Sequence, residues 1–278
     1  MKAVIQRIVR RPLTIVGIIL VAFHLTMALA APLLAPYDPF ILIGAPLEPP
    51  DATYWLGTDA LGRDFLSRLL MGGRISIVAA LAAGLIASLV GGLIGLAAAY
   101  YRGLFDDIVS RLVEMNLAIP AILFVTLFVT GFGQTLPVLI LVISVIKMMG
   151  VIRTSRAQGI VLMELGYVKA ARLRGETAAS VILRELLPNI ADLLAVEFAM
   201  RTSSALLLVS ALSFLGLGIS PPTPDWGLMI HDGLQSIRSE PWLILAPALC
   251  VSTLVVGINF AVEGISDALG LEAARGAA

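Results

Sequence analysis

Residues able to do covalent or metal chemistry are scarce in this chain and lie far apart. It has two histidines and one cysteine, Cys250, none of them clustered. The lone cysteine excludes an intrachain disulfide or a Cys-based metal site. No His-x-Glu, Cys-x-x-Cys or Gly-x-x-x-x-Gly-Lys pattern offers a metal site or a phosphate-binding loop. An enzyme working at depth in a membrane would need a nucleophile–base pair or a metal triad, so no catalytic residue, metal or cofactor is expected. The polar residues left to explain fall into three groups. Glu197 and Arg201 lie four apart in an apolar run, acid first, the favourable order for a helical pair. Asp59, Arg63 and Asp64 form a charged knot ahead of a glycine-rich stretch. The third group is a polar island, "YVKAARLRGETAASVILRELLPN", from Tyr167 to Asn189.

The elements that must hold these groups are hydrocarbon-like. Of 278 residues, 59% are hydrophobic and 14% charged, against about 25% charged in a soluble domain. Several runs reach the roughly 20 residues that cross ~30 Å of hydrocarbon as a helix. In lipid each backbone polar group must be satisfied within its own segment, which selects helices. The expected fold is all-α and polytopic, with six spans at about Leu13–Leu34, Ile75–Tyr100, Leu112–Thr130, Leu136–Ile152, Ala191–Leu215 and Trp242–Ile265. Residues 1–74 would form an N-terminal region with the first span and an outer interfacial stretch, and 75–278 a five-helix core with a loop at about 153–190. Ala28-Leu29-Ala30 resembles a signal-peptide cleavage site, but the apolar run continues through Leu33 and Leu34, so the first span is expected to remain as a helix.

Zero net charge gives no global field for nucleic acid. With the N-terminus in the cytoplasm, thirteen Lys and Arg face that side and four the other, setting aside Lys147 and Arg201 inside spans. The positive-inside rule therefore places both termini and the polar island in the cytoplasm. Trp55, Trp226 and Trp242 would then mark the outer headgroup boundary. His24 reads as a packed residue, Asn116 and Pro120 as a helix bend, and the glycines from Gly72 to Gly95 as close helix contacts.

Within the island, Glu164–Arg174 favours helix, Gly175 supplies a left-handed stop and Thr177 can cap a new helix. Ala178, Val181, Ile182 and Leu186 give that second helix an apolar face, which Pro188 would close. Between Arg153 and Pro188 six basic and three acidic residues leave a net charge of +3. Composition alone leaves two readings open, a connector lying on the membrane surface or a docking element for a cytoplasmic partner.

Tyr167-Val168-x-Ala170-Ala171-Arg172-x-x-Gly175, continuing to Leu187-Pro188-Asn189, resembles the "EAA" loop of ABC-importer permeases. "LGTDALGRDFLSRLLMGGRISI" (residues 56–77), "LSFLGLGISPPTPDWGLMI" (residues 212–230) and "EPWLILAP" (residues 240–247) are similar to signatures of the dipeptide/oligopeptide/nickel branch, in its order. The chain is most similar to the C-type member of the permease pair in that branch. The resemblance implies a binding-protein-dependent importer in the bacterial plasma membrane. Its other parts would be a second permease in a heterodimer, two cytoplasmic ATPases that hydrolyse the ATP, and an extracytoplasmic solute-binding protein. Tyr167, Lys169, Ala170, Ala171, Gly175, Glu176, Leu187 and Pro188 would form the loop that couples to the ATPases. Glu197 and Arg201 would line the pore or form a structural pair. Asp59, Arg63 and Asp64 would touch the docked binding protein or fix an interfacial helix. Lys169 stands where the family usually has the Glu of "EAA", which implies a positive charge on the docking surface and an acidic patch on the ATPase. Members of this branch carry dipeptides, oligopeptides, nickel chelates, glutathione or opine-like solutes.

Overall fold

Pro12 opens the first helix, where its missing N–H is no loss. From there the chain builds a bundle of long apolar helices, in a computed structural model that describes residues 11–269. They are α1 (Pro12–Leu34), α2 (Phe65–Tyr101), α3 (Gly103–Ala118), α4 (Ala121–Phe132), α5 (Leu136–Met163), α6 (Gly166–Leu173), α7 (Ala178–Phe214), α8 (Trp226–Gly233) and α9 (Trp242–Leu269). Five are long and apolar enough to cross a membrane, and the bent pair α3–α4 makes a sixth span if counted as one. Among the described residues there is no strand, only a bridge between Thr58 and Asp64.

α2 is the central post, packed along its length on α5 and α7, while α9 packs on α1. These contacts rely on missing side chains. A Cβ at Gly95 would stand 2.5 Å from the Ile152 carbonyl oxygen of α5, and one at Gly84 would stand 3.0 Å from the Thr202 nitrogen of α7. Backbones this close gain dispersion contacts that larger residues would prevent, which matters where lipid offers no hydrophobic drive between helices. The outward faces of α1, with Leu29, Leu33 and Phe23, stay exposed, as a surface solvated by acyl chains requires.

Several boundaries differ from the sequence expectation, each for a local reason. α2 begins at Phe65 rather than near Ile75, because Asp64 caps it by accepting from the Ser67 N–H at 2.7 Å. The expected third span is broken: α3 and α4 meet at 93° around Ile119 and Pro120. Pro120 cannot donate, and it holds Ile119 extended at φ −88°, ψ 126°. The bend read at Asn116 and Pro120 is thus present. Pro188, in contrast, does not end the helix that starts at Thr177. Residues Val181–Leu186 widen into a π-helix, Pro188–Ile190 tighten into a 3-10 turn, and the helix runs on to Phe214. The bulge makes room for the proline ring, and the Asn189 side-chain amide donates to the Glu185 carbonyl at 2.6 Å.

At the end of the bundle opposite α6, residues 35–64 form a folded cap. Gly62 O accepts from the N–H groups of Ile43 and Gly44 at 2.9 and 3.0 Å, and Thr58 Oγ1 donates to Ala45 O at 2.6 Å. Trp226 belongs to this cap's underside rather than to an exposed boundary. It is buried, its Nε1 donates to Leu69 O at 3.0 Å, and Gly73 leaves the space for its ring. Trp242 is half-buried, with Nε1 donating to Leu56 O at 3.2 Å, and of the three only Trp55 is exposed, at 67%.

Candidate functional site

The polar island folds as a firm fixture on the bundle end. Val168 and Ala171 of α6 are fully buried against Val181, Ile182 and Leu186 of α7, Leu162 and Met163 of α5 and Leu96 of α2. Burying a side chain of the Val or Leu kind contributes about 1.5–3 kcal/mol, so this small cluster clamps the island to three spans at once. Gly175, at φ +76°, turns the chain between the two helices, its N–H donating to Arg172 O at 3.0 Å. Thr177 Oγ1 then accepts from the Ser180 N–H at 3.3 Å as the cap of α7.

The outer face of the island carries its charges in pairs. Glu164 accepts from Lys169 Nζ at 3.0 Å and from Arg102 Nη2 at 3.1 Å. Lys169 first, then Arg102, hold the Glu164 carboxyl below the usual carboxylate range. Lys169 thus has a partner inside the chain, an acid five residues upstream that the loop motif does not include and that Arg102 shares. Arg174 Nη2 donates to Glu176 Oε1 at 2.6 Å and Ser180 Oγ to Oε2 at 2.9 Å, and these bonds lower the Glu176 carboxyl as well. The Arg172 guanidinium lies 5.5 Å from the centre of the Tyr100 ring, within cation–π range. Tyr167, Ala170 and Pro188 are partly or fully exposed and Leu187 is half-buried. At the tip Leu173 is 89% exposed, an apolar knob left largely uncovered by the described residues.

Glu197 and Arg201 are brought together as their spacing implies. Arg201 Nε and Nη2 both donate to Glu197 Oε2, at 2.9 and 2.6 Å. Glu197 is 1% exposed, and the Arg201 head lies against Gly150 of α5, where a Cβ would meet its Nη2 at 2.8 Å. His24 is packed between helices, with Thr253 Oγ1 3.2 Å from its Nε2 and Nδ1 2.8 Å from Leu20 O.

Asp59, Arg63 and Asp64 are all buried, and each makes a side-chain bond within the chain. Asp59 Oδ2 accepts from Arg63 Nε at 2.7 Å and from Arg68 Nε at 3.1 Å, while Asp64 is occupied as the α2 cap. These contacts hold the cap to the start of α2. Arg68, not singled out from the sequence, is the centre of that construction. Its Nη1 donates to Pro39 O at 3.2 Å and Pro222 O at 3.4 Å, tying both connecting loops to the start of α2. These partners lie 29 and 154 residues away, so no local pattern announces them. Asp225, also missed, caps α8 by accepting from Gly227 and Leu228 N–H at 2.9 and 3.2 Å. Among the described residues no cluster of three or more His, Cys, Asp or Glu is placed to hold a metal.

A bundle of apolar spans with a clamped charged fixture at one end and a folded cap at the other defines a multi-pass membrane protein. Residues 91–270 match the family described as binding-protein-dependent transport system inner membrane component, and the chain belongs to it. Residues 1–50 match the N-terminal TM domain of oligopeptide transport permease C. The oligopeptide transport system permease protein of Salmonella typhimurium is 39% identical over 216 residues, covering 78% of this chain and 72% of that protein. The di/tripeptide transport system permease protein of Pseudomonas aeruginosa is 35% identical over 260 residues, covering 91% and 86%. A probable D,D-dipeptide transport system permease protein of Escherichia coli is 32% identical over 259 residues, covering 93% and 87%.

Proposed function

We propose that this chain is one of two permease subunits of an importer for dipeptides, oligopeptides or chemically related small solutes. The charge bias of its loops supports the α6 end facing the cytoplasm and the capped end facing outward. A second, different permease completes the pore, two cytoplasmic ATPases hydrolyse ATP, and an extracytoplasmic binding protein delivers the solute. The observation that carries this reading is the mounting of α6. Its inner face is buried against α2, α5 and α7, while its outer face presents Leu173 and Tyr167. A groove in an ATPase subunit would take that face, and closure of the two ATPases would shift the spans to which α6 is clamped. The permease is then a two-state element biased from both sides, by ATP within and by the loaded binding protein without.

Paired charges beside Leu173 adjust the fit of the partner groove. Replacing Leu173 by Asp is expected to release the ATPases from the purified complex, or to leave ATP hydrolysis unresponsive to loaded binding protein, while the permease pair still assembles. Normal binding-protein-stimulated ATPase activity in that variant sinks the docking role. Lys169→Glu sets two carboxylates side by side with Glu164 and is expected to weaken coupling to the native ATPases. Unchanged stimulated activity there rejects charge matching at this position. Of the pair, Arg201, 24% exposed at its side chain, is the pore-side member and Glu197 its buried counter-ion, checked by peptide uptake in Arg201→Gln with assembly confirmed separately.

A further inference from the structure

The cap and α8 enclose a cavity of about 280 Å³ that none of the foregoing roles uses. Part of its wall is apolar, with Phe65, Met229 and Leu243 all buried. Its charges are divided. On one side Arg63 and Arg68 share the single carboxylate of Asp59, so one unit of positive charge is left over. Among the described residues the Arg63 side chain makes no hydrogen bond beyond the one from Nε, so its terminal nitrogens are open to a ligand. On the other side stands Asp232 of α8, exposed at the mouth and without an ion pair or hydrogen bond among the described residues. The neighbouring acids are already engaged, Asp64 and Asp225 as helix caps, and His231 Nδ1 lies 2.8 Å from Phe214 O.

We infer that this cavity is a binding site for a small zwitterion of the dipeptide class, with its ammonium on Asp232 and its carboxylate on Arg63. A cation alone would leave the Arg63 side uncompensated, and an anion alone would leave Asp232 so. The volume equals that of about nine liquid waters, at roughly 30 Å³ each, and lies just under the ~300–1,000 Å³ of drug-sized pockets. A dipeptide with small side chains suits it and a long peptide does not. The site lies on the face that the proposed function directs outward, and rests on that reading for its role as a first stop for solute released there.

The test uses the full complex in lipid nanodiscs, with Ala-Ala as the probe and calorimetric titration as the readout. Ala-Ala is expected to bind saturably. N-acetyl-Ala-Ala, Ala-Ala-amide and the Asp232→Asn variant are each expected to bind about tenfold more weakly or worse, since each deletes one charge-assisted contact. Asp232 makes no ion pair or hydrogen bond among the described residues but lies in the field of Arg63 and Arg68, so the variant's thermal stability is measured beside its affinity. Absent binding of Ala-Ala overturns the proposal, and so does equal binding of the blocked peptides or of the variant. A variant that loses affinity for the binding protein, in a complex that never responds to Ala-Ala, assigns the cavity to a protein contact and overturns it too. Stimulated ATPase activity measured on the same preparation separates the two readings. Its absence with Ala-Ala binding intact refutes the importer function and leaves the site standing.

Discussion

Removing Arg201 should cost more than removing its partner. Glu197 is 2% exposed at the side chain and Arg201 24%, yet both bonds of the pair fall on the single oxygen Glu197 Oε2. Arg201→Gln would leave a carboxylate in the bundle interior without its cation. Breaking a buried pair from one side costs about 3–5 kcal/mol, or roughly two to three and a half decades in an equilibrium constant. Glu197→Gln leaves the guanidinium, which retains some access and a long stem on which to reach water, so about 1–2 kcal/mol is expected there. The double variant Glu197→Gln, Arg201→Gln carries two neutral amides that can bond to each other and should recover most of the loss. The assay is reversible unfolding of the permease in mixed detergent micelles, run for all four members of the cycle. If Arg201→Gln lies within about 0.5 kcal/mol of the parent, or if the double variant is no better than the worse single one, the pair is not the buried construction that the distances describe.

Other consequences can be checked separately. Arg68→Ala should free the cap, because it deletes the bonds to the Pro39 and Pro222 carbonyls and one of the two cations on Asp59; a loss of roughly 1–3 kcal/mol would show as fast proteolysis within residues 35–64, and an unchanged cleavage pattern speaks against the staple. Burial pushes the Asp225 carboxyl from 3.8 up to about 6. A raised carboxyl contributes stability that is whole below pH ~4 and lost as pH rises through ~6, about 3 kcal/mol over the two pH units. Amide protection factors in α8 should fall across that window and stay level in Asp225→Asn; a flat wild-type profile contradicts the assignment. Gly95→Val forces a side chain onto the Ile152 carbonyl and the Arg156 nitrogen, 2.5 and 2.9 Å from a Cβ. Backbone cannot yield as a side-chain tip can, so poor membrane insertion or assembly is expected, and wild-type yield and stability would show that α2 and α5 do not meet there.

The spans, the Gly175 turn, the Thr177 cap and the bend at Pro120 were legible because each depends on nearby residues, through hydropathy, φ or a missing N–H. The start of α2 was not. Ser67, Arg68 and Arg74 fall in the outer interfacial stretch ahead of Ile75, and only the engagement of Arg68 by Asp59, Pro39 and Pro222 ties that stretch to the helix. Trp226 was misplaced at the boundary for a related reason, since its hydrogen-bond partners Leu69 and Ser76 lie on a helix more than a hundred residues away. Pro188 misled because the usual rule assumes a regular ladder, whereas a π-turn and the Asn189 side chain absorb the ring. At the candidate sites, the Glu197–Arg201 pair was readable from its helical spacing. The partnership of Lys169 with Glu164 and Arg102 was not, since it depends on where α2 ends relative to α6.

The π-turn just ahead of Pro188 has a mechanical consequence. A helix that stopped there would have left a flexible joint between the island and the membrane. α7 instead runs on through the π and 3-10 turns for 37 residues, and taken as one rod it is about 55 Å long at 1.5 Å per residue. Rocking such a rod by about 5° moves its far tip by about 5 Å, nearly the width of one helix turn. Glu197 and Arg201 ride partway along it, and their travel is set by their distance from the fulcrum rather than by any contact of their own.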